Sequence, residues 1–383
     1  MTTSTASEDR AVDEIQRRCT AGLDQRALLG EVAERLRRAI PSEAFCLSAT
    51  DPSSELVTYG AAEGLGGMRG MRLFFEHIYL EADVNGYDGM SERWPEPVML
   101  LSEATGGRLE RSLRYREHTG PLGLGYEIRG ACVAGKERWG GVELTRERGD
   151  PDFDFREVRL VRRILPHVGA GLRASALLSE AALPEPDGDG VPGVLVLDHK
   201  GRVAEHTQAA KRYLEELGDL GPGWREGDGL PLALWMVVGA LRRALDPQTE
   251  RDRGLVPTLS AKAHSGRWLT LQAALTEVAS GSPSRKMIVI EPAGPKRIAW
   301  LRAAAYGLSA REREVVDLVV RGASRRQISA TLYISEYTVQ DHLSNVFDKV
   351  GVRGREALIK RLFLDNLYPA MMPPELRRMP LFE

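Results

Sequence analysis

Apolar residues recur along this chain first at helical spacing, then in short strand-like runs that come twice, and last at helical spacing again. Over 8–40 the stripe Leu28, Leu29, Val32, Leu36 and Ile40 predicts helix up to the breaker Pro41. Short strands are expected at 45–48 and 56–59 around the turn Asp51-Pro52-Ser53. A helix near 68–80, an irregular stretch holding Gly86, Gly89, Pro95 and Pro97, and a helix over 108–118 follow. Strands at 127–134 and 139–145 are joined at Gly135-Lys136, and a long helix runs over 154–182. The segment 183–192, LPEPDGDGVP, reads as a linker. After it come strands at 193–198 and 202–206 and a short helix at 209–217. An amphipathic helix at 231–245 turns Leu234, Val237, Val238, Leu241 and Leu245 inward. Strands at 256–263, 267–275 and 286–291 close the series.

In the long helix, Val158, Val161, Leu165, Val168 and Leu172 step by 3, 4, 3 and 4. That spacing suits a parallel dimer seam carrying a signal between domains. It suits equally a terminal helix packed on its own sheet, because both use one apolar stripe.

The last helical stretch is the most informative. Ser309 with Glu312 forms a capping box, Val315, Val316 and Val319 make a stripe, and Gly322 ends the helix. Ser324 caps a second helix with Ile328 and Leu332 inward, and a turn at 333–335 leads to Ser335, which caps a third that ends at Gly351. There Val339, Leu343, Val346 and Val350 share one face, while Tyr337, Gln340, Asp341 and Ser344 occupy the other, flanked by Thr338 and Asn345. This is the pattern of a helix-turn-helix, which lays its second helix in the DNA major groove.

The segment resembles the LuxR-type DNA-binding domain, whose pattern is LT-x-RE-x-EV followed by G-x-S-x-x-x-I-A-x-x-L-x-I-S-x-x-T-V-x-x-H. The chain matches it at Leu308, Arg311, Glu312, Glu314, Val315, Gly322, Ser324, Ile328, Leu332, Ile334, Ser335, Thr338, Val339 and His342. The resemblance implies that Gln340, Asp341 and Ser344, with Tyr337 beside them, reach base edges. It implies that Ser335, Thr338, His342, Asn345 and Lys349 lie near the DNA backbone, joined here by Arg353 and Arg355. Gln can bond adenine bidentately and Asp can accept from a cytosine amino group. Where many members carry lysine on the reading face, this chain has Asp341, Ser344 and Asp348. Residues 302–365 hold eleven Lys or Arg against eight Asp or Glu, a net of only +3. A modest electrostatic hold follows, and a dimer would double the phosphate contacts.

The strand and helix order of the first half, with W-G-G-V-E-L-T-R leading towards D-F-x-x-x-E-V-R-L-V, resembles a GAF domain. The order after the linker, opening on G-V-L-V-L-D and A-A-x-x-x-L, resembles a PAS domain. The expected fold class is therefore α+β and multidomain: a GAF-like region over 1–182, the linker 183–192, a PAS-like region over 193–295, an all-α four-helix LuxR-type helix-turn-helix over 296–368 and a Pro-rich tail over 369–383. Both sensory folds wrap a sheet around a pocket. The aromatic candidates for lining the first are Phe74, Phe75, Tyr79, Tyr87, Trp94 and Trp139, although aromatics serve cores more often than pockets.

Composition narrows the function further. No apolar run reaches the roughly 18 residues of a membrane span, and the start MTTSTASEDR carries no signal-peptide core, so a cytoplasmic protein is expected. Arg far outnumbers Lys while Asn and Ile are scarce, the bias of a GC-rich genome such as an actinobacterium's. Cys19, Cys46 and Cys132 lie far apart and read as buried small hydrophobes. The seven histidines, His77, His118, His167, His199, His206, His264 and His342, show no ligand spacing, so no metal and no cofactor is expected. Gly64, Gly66 and Gly70 miss the dinucleotide spacing, and there is no G-x-S-x-G, phosphate loop or H-E-x-x-H. The expected function is a dimeric, sequence-specific transcriptional regulator and no enzyme. Its partners would be double-stranded DNA and a second copy, with RNA polymerase and an unidentified small-molecule ligand as further candidates. Two alternatives stay open: an N-terminal half that is only a dimerisation platform, and an enzyme carrying a DNA reader.

Overall fold

Two helices, not one, precede the first strand. The run expected over 8–40 breaks at Gly22, whose φ is +69°, and Asp24 restarts it by accepting the Ala27 N–H at 2.8 Å. Helix α1 is thus Thr2–Cys19 and α2 Gln25–Ala39. The computed structural model describes residues 2–77, 83–84, 86–87, 97–178, 190–217, 230–246, 256–276 and 284–364. The chain divides into two units, Met1–Pro292 and Ala293–Glu383.

In the first unit, β1 (Ala44–Thr50), β2 (Val57–Glu63), β3 (Val98–Leu100), β4 (Leu124–Ala134) and β5 (Glu137–Glu147) form an antiparallel sheet in the order β2-β1-β5-β4-β3. Helix α3 (Gly67–Phe75) and α4 (Leu101–Thr105) lie between β2 and β4. The helix expected over 108–118 is instead a set of short turns, Leu109–Arg111, Tyr115–Thr119 and Gly120–Leu122. The long helix α5 (Phe155–Leu178) lies on β4 and β5.

That placement overturns the dimer seam. Val161, Leu165, Val168 and Leu172 are buried, and Val158 is half-buried, within the chain's own core. Gly130 and Gly140 leave the hollows into which the two leucines fit. A Cβ on Gly130 would stand 2.7 Å from Leu165 Cδ1, and one on Gly140 2.6 Å from Leu172 Cδ1. The stripe is a helix-on-sheet stripe. Phe74 and Phe75 also go to packing, edge to face with centroids 5.9 Å apart, and Trp139 is buried. Tyr79 and Trp94 lie outside the described residues.

The second sheet repeats the same order as β7-β6-β10-β9-β8, from β6 (Gly193–Leu197), β7 (Val203–His206), β8 (Thr258–Lys262), β9 (Trp268–Leu275) and β10 (Lys286–Pro292). Helix α6 (Gln208–Glu216) packs on β6, and α7 (Leu232–Leu245) is mostly buried, with Trp235 and Ala240 half-buried and its last turn, including the expected inward Leu245, reaching solvent. Helix α7 touches β8, β9 and β10 of its own sheet and β2 of the first, so one apolar core runs through both sheets. Asp51 Oδ2 accepts the Ser260 N–H at 2.7 Å, and Lys262 donates to the Ser175 carbonyl at 3.0 Å. The two sensory regions expected on either side of a linker are therefore joined in one body.

Cys19, Cys46 and Cys132 are buried and unpaired with one another. Burial pushes the Cys19 thiol up to about 12 and the other two upward as well, which keeps all three protonated. Among the described residues no helix is long and apolar enough to cross a membrane, and no group of three His, Cys, Asp or Glu side chains could hold a metal.

Candidate nucleic-acid interface

Three serines set out the second unit. Ser309, Ser324 and Ser335 stand in extended conformation and accept the N–H three residues on, from Glu312 (3.2 Å), Gln327 (3.3 Å) and Thr338 (3.0 Å). The first two are reciprocated: Ser309 N–H donates to Glu312 at 2.6 Å and Ser324 N–H to Gln327 at 2.8 Å. Two capping boxes result, of which only the first was read from the sequence. Helices α9 (Ala310–Val320), α10 (Arg325–Leu332) and α11 (Glu336–Val350) follow α8 (Pro295–Ala305), and α12 (Arg355–Ile359) closes the unit. Gly322 and Gly351 end α9 and α11 with positive φ.

The core of this unit is Leu308, Val315, Val316, Val319, Ile328, Val339, Leu343, Val346, Val350 and Leu358. Burying Val339, Leu343, Val346 and Val350 turns the opposite face of α11 outward. Tyr337, Gln340, Asp341, Ser344 and Asn345 are exposed there, with Ser335 at the helix start; Thr338 and His342 sit half-buried at the flank. The structure thus gathers the expected base-edge residues on one solvent-facing surface, at the end of the turn between α10 and α11.

Two cations expected on the DNA backbone are tied to the frame. Lys349 Nζ reaches both carboxylate oxygens of the buried Glu312, at 2.7 and 2.9 Å. Burial pushes the Glu312 carboxyl up, but hydrogen bonds from Lys349 and Ser309 outweigh it and hold it below its ordinary value. Arg355 Nη1 donates to the Ala323 carbonyl at 2.7 Å, clasping the end of α9. Arg353 is exposed.

Two residues of this surface were missed from sequence. Arg325, at the first turn of α10, donates from Nη1 to Gln340 Oε1 at 3.0 Å and fixes the amide of a residue expected to reach base edges. Its signal was its place one helix upstream, which only the packed geometry brings opposite Gln340. Tyr333 ends α10 in the left-handed region, φ +54°, with its ring 94% exposed. An aromatic residue at positive φ and open to solvent costs stability, which makes this position a candidate for contact. Tyr337, 77% exposed, lies one turn on.

The family model of bacterial regulatory proteins, luxR family, matches residues 307–362. The spore germination protein GerE of Bacillus subtilis (strain 168) is 44% identical over 61 residues, 16% of this chain and 82% of GerE. The monoamine regulon transcriptional regulator of Klebsiella aerogenes is 44% identical over 57 residues, 15% of this chain and 25% of that protein. The probable transcriptional regulatory protein NarL of Mycobacterium tuberculosis (strain H37Rv) is 42% identical over 60 residues, 16% of this chain and 28% of NarL. The chain therefore spans most of GerE but only about a quarter of the other two. A phage VqmA–DPO complex aligns with 49% of this chain and 87% of that one at 19% identity, with a TM-score of 0.26, and the assignment rests on the sequence matches. Capped helices, an outward polar face and these matches agree, and the chain belongs to the luxR family of bacterial regulatory proteins, as a DNA-binding transcriptional regulator with a C-terminal helix-turn-helix.

Proposed function

We propose that this regulator reads a specific operator as a dimer in the cytoplasm, with α11 in the major groove and DNA binding tuned by a signal taken up in the α/β half. The observation that carries the reading is the segregation of α11: four apolar residues sealed inward and Tyr337, Gln340, Asp341 and Ser344 together outward. Ser335, Thr338, His342, Asn345 and Arg353 take the phosphates on either side. Lys349 and Arg355 act chiefly by holding the frame, since Glu312 and Ala323 engage them.

The Arg325 bond refines what Gln340 reads. One lone pair of Oε1 is taken by Arg325, so the amide N–H donors carry more of the reading, and acceptor edges, guanine O6 and N7 or thymine O4, suit it better than the bidentate adenine contact. With so few cations uncommitted, one copy holds DNA weakly, and two copies on half-sites about one helical turn apart supply the missing contacts. The dimer contact lies elsewhere than the face of α5 sealed against β4 and β5. The two sheets, sharing one strand order, are GAF-like and PAS-like sensory folds, and RNA polymerase is the downstream partner of a bound dimer.

Selection of binding sites from a random DNA library with the full chain tests this. A two-fold site should emerge, and Gln340→Ala should then lose about 1–3 kcal/mol on that site with relaxed preference at one base pair. Equal losses on selected and random DNA would remove Gln340 from base reading.

A further inference from the structure

The two faces of the first sheet are chemically unlike. One, carrying Gly130 and Gly140, packs under the leucines of α5. On the other, register aligns Cys46 of β1, Glu143 of β5, Arg129 of β4 and Met99 of β3 in one row, with Ala44, Thr145 and Glu127 in the next. All seven are buried. Small residues, Ser48, Ala131 and Gly141, flank the rows. A sheet face sealed for stability alone would carry branched apolar side chains here, since buried ion pairs seldom outperform them.

Most of the charge on this face is matched. Arg114 clasps Glu127 through Nε (3.1 Å) and Nη2 (2.8 Å) and reaches Asp83 at 3.2 Å, while Arg129 meets Glu127 at 2.9 Å. Arg138, stacked 4.5 Å over the Tyr87 ring, meets Glu55. Among the described residues Glu143 is then one carboxyl group in surplus. The Tyr87 hydroxyl donates to its Oε1, but Oε2 is fully buried with no hydrogen-bond partner. Thr145 Oγ1, two residues along the same strand face, is likewise buried and without a partner. So is His118 Nδ1, and because Nε2 of that ring donates to the Leu65 carbonyl at 3.1 Å, Nδ1 is a bare acceptor. Native interiors leave few such groups, and each requires a reason.

The open oxygen of the Glu143 carboxyl group, a hydroxyl on the same strand face and a bare imidazole nitrogen describe one ligand chemistry. We propose that this sheet face binds a small cationic molecule rich in N–H donors, a primary amine or guanidine, held by Glu143 Oε2 and Thr145 Oγ1 with His118 Nδ1 as a further acceptor. Tyr87 and Arg129 hold Glu143 in place rather than touching the ligand. The proposal concerns the α/β unit and does not depend on how the helix-turn-helix reads DNA.

Calorimetric titration and thermal melting of the full chain at about pH 8, where the Glu143 carboxyl group is ionised, test it, with agmatine, putrescine and ethanolamine as cationic probes, urea and glycerol as neutral ones and succinate as an anion. At least one cation should bind saturably and raise the melting temperature of the α/β unit, while succinate does not. Glu143→Gln should weaken that binding by about 10- to 100-fold, the worth of a charge-assisted hydrogen bond. Thr145→Val should weaken it by several-fold without lowering the melting temperature of the unliganded protein. A purely structural role would do the reverse, destabilising the unliganded protein and leaving binding alone. The proposal is overturned if no cation binds, if neutral or anionic probes bind as well, or if both variants bind like the parent. Should Glu143→Gln not fold, Thr145→Val decides alone: an unchanged ligand response overturns the site, and a lost one at unchanged melting temperature supports it.

Discussion

Glu143 makes a quantitative prediction about pH. Burial pushes its carboxyl from the ordinary 4.5 up to about 7, against the pull of Arg129, the Tyr87 hydroxyl and Arg114 and with the push of Glu127. Cys46, across the strand pair, adds a thiol hydrogen bond. The folded protein therefore keeps a proton that the unfolded chain has lost. Its contribution is full below about 4.5, declines as pH rises and is gone above about 7. At about 1.4 kcal/mol per pH unit, the loss across that window is about 3 kcal/mol. Glutamine keeps the shape and the acceptor for Tyr87 and has no proton to lose. In urea denaturation of the full chain, Glu143→Gln should match the parent within about 1 kcal/mol at pH 5 and exceed it by about 3 kcal/mol at pH 8. The difference between proteins isolates the residue, because His118, held low by burial, contributes with the opposite sign. Asp83 and Glu312, held low by their partners although burial opposes it, lose their contributions only at lower pH. A stability difference that is flat from pH 5 to 8, or a variant weaker than the parent at pH 8, would refute the reasoning.

Three further predictions concern packing and the helix-turn-helix. Leu165→Asp places a charge between α5 and the Gly130 hollow, so urea melts should show a loss of about 4 kcal/mol or more; a folded, equally stable variant that sediments as a monomer would restore the dimer seam. Lys349→Ala strands the buried Glu312 carboxylate and should lower the stability of the second unit by about 1–2 kcal/mol, discounted because Lys349 is 39% exposed. The salt slope of DNA binding should hardly change in the same protein, and a fall of about one would show that Lys349 meets a phosphate. Tyr333→Gly should raise the thermal stability of that unit by about 0.5–1 kcal/mol by relieving the left-handed backbone while weakening DNA binding in a titration; a stability loss would mean the ring packs in the free protein.

The helix-turn-helix was legible because its signals are local. Ser309, Ser324 and Ser335 cap helices within three residues of themselves, and the stripe from Val339 to Val350 needs no distant partner to be seen. Strand β3 was not legible: Val98–Leu100 is three residues long beside Pro97 and exists only because β4 offers it an edge. The stretch 108–118 read as one helix because Arg114 and Tyr115 fit a helical pattern, whereas the position of Arg114 follows from Asp83 and Glu127, far off in sequence. The α5 stripe could not choose between a second copy and its own sheet, and the two glycines that decide it lie on other strands. Glu127, Arg129, Glu143 and Thr145 escaped notice for a related reason. Alternating polar residues in a strand are expected to face water, and here both faces are covered.

Helix α7 has a consequence for how this regulator can be inherited. Because its apolar surface is closed on one side by β8, β9 and β10 and on the other by β2, neither sheet owns a complete interior. Gene fusion or truncation near residue 190 would split that interior and leave a greasy helix facing solvent, a substrate for proteases and aggregation. The two sheets must therefore travel between genes as a single cassette. The C-terminal reader, whose core is made from its own helices, is free to be shuffled alone, and its matches to proteins as different in length as GerE and NarL fit that freedom.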